Sequence, residues 1–156
     1  MNPLDVMQYG QRDIDQLLGR LRDDDWSAIA LGVWTTKDVV GHLGAFELRF
    51  ADVLATFLDE PPDSDLIRSN PATFNDDQAA VRKAWSVDQV LDEFRLAHSR
   101  VLDRAGRISA DTWSRIGTIP WYGPEYALDD LVVYSMYGHK REHAPQLEAV
   151  LERPGR

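Results

Sequence analysis

Cysteine is absent from the 156 residues, which excludes disulfides, thiolate catalysis and cysteine metal ligands together. Any thiol chemistry must be supplied from outside the chain, and the absence fits a reducing compartment. Positive charge is also scarce. Against 17 Lys and Arg stand 26 Asp and Glu, a net charge of −9. No basic patch offsets these carboxylates, so no nucleic-acid partner is expected. No apolar run approaches the ~18 residues of a membrane helix. The start, Met1-Asn2-Pro3-Leu4-Asp5-Val6, lacks the basic and apolar segments of a signal peptide. A cytoplasmic chain with no membrane partner, forming one domain over residues 1–156, is the expectation. Strand-like alternation, fixed-period repeats, a Ser-His-Asp order, a phosphate-binding glycine loop and a paired-carboxylate motif are missing as well.

What remains is helical periodicity. A first apolar face, imperfect, runs from Pro3 to Leu21 and stops at Asp23-Asp24-Asp25. A second helix opens at Thr35 or Thr36, where Asp38 completes a capping box with Thr35. Its stripe is Val39, His42, Leu43, Phe46, Phe50, Val53, Leu54 and Phe57, and Pro61-Pro62 ends it. The connection from Asp59 to Ser86 is long for a structureless loop, and a short helix is expected inside it from Asp76 to Trp85. Ser86 and Gln89 form another capping box. The helix they open carries Val90, Leu91, Phe94, Ala97, His98, Val101, Leu102 and Ala105, with Gly106 as its stop. The last helix is expected from about Glu125. Its stripe is Leu128, Leu131, Val132, Ser135, Met136, His139, His143, Leu147 and Val150, with a kink at Pro145. Helices with facing apolar stripes predict an all-α, four-helix bundle.

Histidines interrupt two of these stripes. His139 and His143 stand one turn apart, with Cβ atoms roughly 5–6 Å from each other. Zinc–nitrogen bonds of about 2.0–2.1 Å let such a pair share one ion. His42 lies on the stripe of the second helix and supplies a third imidazole. Three protein ligands with an open fourth position are the pattern of catalytic zinc. The competing reading is three core histidines bonded to one another or to neighbours.

The segment Trp34-Thr35-Thr36-Lys37-Asp38-Val39-Val40-Gly41-His42-Leu43, with Tyr137-Gly138-His139-Lys140-Arg141-Glu142-His143, resembles the DinB-like superfamily. That group includes YfiT-like hydrolases and the metal-binding domain of mycothiol-dependent maleylpyruvate isomerases. The resemblance implies an up-down-down-up four-helix bundle with its long connection between helices 2 and 3. It implies a divalent metal, zinc or nickel, held by His42, His139 and His143. It further implies hydrolysis, or thiol-dependent transfer or isomerisation, of a small electrophilic molecule, with water or an external low-molecular-weight thiol as nucleophile. It does not select among these reactions.

Other residues carry weaker signals. Glu142 makes His139-Lys140-Arg141-Glu142-His143 match the inverse-zincin string. The acids that follow, Glu148 and Glu152, lie within the last 13 residues, too near for that family's distant third ligand. Glu142 is then a solvated helix-face carboxylate or a partner of a ligand imidazole. His98 is a buried, hydrogen-bonded histidine, or it faces the site as a substrate contact or fourth ligand. Glu47 lies roughly 140° around the helix from His42 and is not expected to join it on one ion. Trp34, Trp121, Tyr122 and Tyr126 flank helix starts, where they wall a pocket or cap the core. Two further readings are a non-catalytic bundle that binds or sequesters a small molecule, and a homodimer paired through a leftover apolar face.

Overall fold

Three of the long helices open on a side chain that satisfies the first turn, where backbone N–H groups have no intrahelical partner. In the computed structural model, which describes residues 2–156, α1 (Pro3–Leu18) starts with Asn2 Oδ1 accepting from Leu4 N at 3.0 Å. At α2 (Thr36–Phe57), Thr35 Oγ1 accepts from Asp38 N at 3.2 Å while Thr35 N donates to Asp38 Oδ2 at 2.9 Å. Ser86 and Gln89 reciprocate in the same way at the start of the helix Val87–Ala105. Both capping boxes read from the sequence are therefore present.

Between the long helices lie the strands β1 (Ile29–Leu31) and β2 (Trp34–Thr35), then α3 (Phe74–Arg82) before α4 (Val87–Ala105), and α5 (Ala110–Ser114) after it. The last segment is composite. A single α-turn, α6 (Leu128–Leu131), leads into a π-helical stretch, Val132–Tyr137, and then α7 (Gly138–Leu151). The chain is thus mostly helical. The principal packing is α2 on α4 and α1 on α7, with α2 also touching α7 and α1 touching α4. No described helix is long and apolar enough to cross a membrane.

Several boundaries differ from the sequence expectation. The first helix stops at Leu18, where Gly19 N–H closes onto Asp15 O, and not at Leu21. The inner helix of the long connection spans Phe74–Arg82 instead of Asp76–Trp85. That connection is tied down by Asp52, fully buried, which accepts from Asp63 N at 2.8 Å. The antiparallel pair β1–β2 was not expected. Its strands are too short for alternation to register, and Gly32 turns the chain between them with φ of 57°. Helix formation in the last segment begins at Leu128, not Glu125, and α7 runs through Pro145 to Leu151.

Apolar burial is divided into two clusters. One gathers Met7, Phe50, Leu54, Val101, Val132 and Met136. The other gathers Ile14, Leu43, Val90, Phe94, Leu147 and Leu151. Along every long helix, polar residues fall between the two or, for His42, among positions of the second cluster next to that boundary. These are Gln11 on α1, His42 and Glu47 on α2, His98 on α4, and Lys140 and His143 on α7, all buried. The candidate site sits in this layer.

Candidate metal centre

His42 reaches the polar layer because the α2 cap sets where the helix begins and β2 feeds directly into it. The same junction lays Trp34 against the His42 ring, with centroids 5.0 Å apart. His139 and His143 follow one turn apart on α7. Their Nε2 atoms converge with that of His42: His42 Nε2 lies 2.7 Å from His139 Nε2, which lies 3.1 Å from His143 Nε2. The three ligand atoms all fall within 4.8 Å of one another.

Gln146 Oε1 can only accept, so His143 Nδ1–H donates to it at 2.7 Å. In the neutral ring this leaves the His143 Nε2 lone pair facing the cluster. A single proton on His139 Nε2 cannot satisfy both of its nitrogen neighbours, and a proton on His42 Nε2 leaves two lone pairs opposed. One cation among the three nitrogens resolves the arrangement. Ligating nitrogens spread slightly further apart than this around bonds of about 2.0–2.1 Å, a small adjustment for three side chains. His42 Nδ1 is buried without a hydrogen-bond partner among the described residues.

The surroundings keep the His42 and His139 rings neutral. Burial, followed by the charge of His143, lowers the His42 pKa to about 4. Burial, then His42 and His143, lowers that of His139 to about 3. Phe46 supplies much of the apolar wall. Its ring centroid is 4.8 Å from His42 and 4.4 Å from His139. An imidazole held neutral by its surroundings is a lone-pair donor rather than an acid.

Behind His139 lies a set of residues that sequence reasoning did not assemble. Glu47 is 2 % exposed and Lys140 4 % exposed, and they form a buried ion pair. The other Glu47 oxygen meets His98 Nδ1 at 3.1 Å. Burial would raise the Glu47 pKa, but the Lys140 ammonium and the His98 contacts outweigh it and hold the carboxylate ionised. Glu47 thus faces α4 and α7 and stays off the histidine cluster, as its position around α2 implies. The signal was available: Glu47 and His98 both sit among apolar helix positions, and Lys140 follows His139 directly.

The remaining sequence candidates are dispersed. Glu142 is exposed. His98 is buried against Glu47. Trp121 is 59 % exposed, and Tyr122 packs partly on the larger apolar cluster, in ring contact with Tyr126 at 5.1 Å. Of the aromatic residues that flank the helix starts, Trp34 touches a cluster histidine ring.

A mostly helical fold that gathers three imidazoles on α2 and α7 defines a protein whose site is compatible with one divalent metal ion. The family model of the DinB superfamily matches residues 7–147, a span that includes all three histidines. The chain belongs to that superfamily. No curated protein and no solved structure matches it significantly.

Proposed function

We propose that the protein is a metal-dependent enzyme of the DinB type, built as an up-down-down-up four-helix bundle, acting on a small electrophilic molecule. His42, His139 and His143 hold one zinc or nickel ion through their Nε2 atoms. The observation that carries this reading is the convergence of three Nε2 atoms with the His143 tautomer set by Gln146. Bound there, a divalent ion supplies Lewis acidity and an activated nucleophile, from water or an external thiol. The chain contributes the rest. Trp34 and Phe46 exclude water from the imidazoles, Gln146 orients His143, and the Glu47–Lys140 pair fixes α7 against α2. Hydrolysis and thiol transfer both fit these roles, and the lack of cysteine makes any thiol an external one.

The test is elemental analysis of protein purified without a histidine tag. About one equivalent of zinc or nickel, lost in His143→Ala, is the expected result. Absence of metal after incubation with both ions would favour a bundle that binds or sequesters a small molecule without catalysis.

A further inference from the structure

A cavity adjoins the histidine cluster and shares one wall with it. It encloses about 200 Å³ between α2, the loop carrying Trp121 and Tyr122, and the π-helical stretch. Phe46 is the shared residue: its ring lines the cavity and also packs on His42 and His139. The π-helix shapes the opposite wall. In a regular α-helix Met136 would turn roughly 140° away from Leu131. Here bonding runs five residues back, as in Gly138 N–H to Val133 O, so both side chains face the cavity.

Arg49 is the one charged residue of the lining. Its guanidinium rests over the Phe74 ring, 5.1 Å from the centroid. Among the described residues it has no ion pair and no side-chain hydrogen bond, whereas the buried arginines Arg82 and Arg104 are each paired with carboxylates. A planar five-donor group without a partner at the rim of an aromatic cleft suits a carboxylate. Trp121, largely exposed at the same rim, offers a face to cover a flat apolar body.

We propose that this cavity is the substrate site, and that its ligand is a small, flat apolar molecule bearing one carboxylate. The Arg49 guanidinium binds the carboxylate, and Phe46, Trp121 and Tyr122 hold the apolar body beside the histidine cluster. The inference deepens the enzymatic reading above and rests on it only for the word substrate, since the binding site stands on its own residues.

Calorimetric titration with trans-cinnamate and its neutral counterpart, cinnamyl alcohol, tests it on metal-loaded and chelated protein. Cinnamate should bind the wild type saturably, and Arg49→Gln should weaken it at least about tenfold. Alcohol affinity should be equal in the two proteins. Arg49→Lys, which keeps the charge but not the fork, should fall between them, and Ser135→Phe, filling the cavity, should abolish both probes. Circular dichroism of each variant checks its fold. Arg49-dependent binding that survives chelation supports the site even where elemental analysis finds no metal. Cinnamate binding that vanishes on chelation and in His143→Ala, yet ignores Arg49, would place the carboxylate on the metal and overturn the inference. Unsaturable binding of both probes to the wild type would overturn it too.

Discussion

Replacing Glu47 by Leu strips the buried Lys140 ammonium of its counter-charge. Lys140 is 4 % exposed and its ammonium lies 5.8 Å from the Phe94 ring centroid, so the charge is largely desolvated. His98 loses its Nδ1 partner in the same step. Removing one member of a buried ion pair costs about 3–5 kcal/mol, because the survivor stays desolvated. In a chain of this length, that is a fall in Tm of roughly 6–20 °C. Removing both charges, as in Glu47→Leu with Lys140→Met, should recover most of the loss, since matched apolar replacements are often neutral or stabilising. Urea unfolding of the wild type, both single variants and the double variant gives the coupling directly. A coupling of about 2 kcal/mol or more is expected, with m-values unchanged. A Glu47→Leu variant that loses under about 1 kcal/mol, or a double variant that loses the sum of the singles, would show that the pair is solvated and contributes no coupling.

Three further outcomes follow from the same layer. Gln146→Leu should leave the fold intact but lower metal affinity about 10–100-fold, measured by competition with a chelator, because His143 loses the acceptor that sets its tautomer. Metal-free protein should lose stability as pH falls from 6.5 toward 4: the unfolded histidines bind protons first, while His42 and His139 stay neutral until about 4 and about 3. Near pH 4 this amounts to about 3 kcal/mol for His42, and thermal melts of His42→Phe should show a visibly flatter acid limb. Gly10→Val should reduce Tm by several degrees, because even a Cβ at Gly10 would stand 2.9 Å from Tyr137 Cδ2, where α1 crosses the π-helical stretch. An unchanged Tm would mean that Tyr137 swings aside freely.

The helices were legible in the sequence because local chemistry creates them. Thr35 with Asp38 and Ser86 with Gln89 satisfy orphan N–H groups within three residues, and apolar spacing marks the face each helix buries. His42, His139 and His143 stood out for the same reason, as imidazoles on apolar stripes. What the local pattern does not encode is how far one helix slides along another. That slide is set by packing between residues distant in the chain. It decides that the three Nε2 atoms meet instead of stacking singly in the core, and that Glu47, on α2, finds Lys140 on α7 and His98 on α4. The π-helical stretch belongs with these tertiary outcomes, since five-residue bonding there wins only when the packing around Leu131 and Met136 repays its poorer geometry. Arg49 reads in the sequence as one more cation on a helix. Only the fold sets it, without a partner, at the edge of an aromatic cavity beside the histidines.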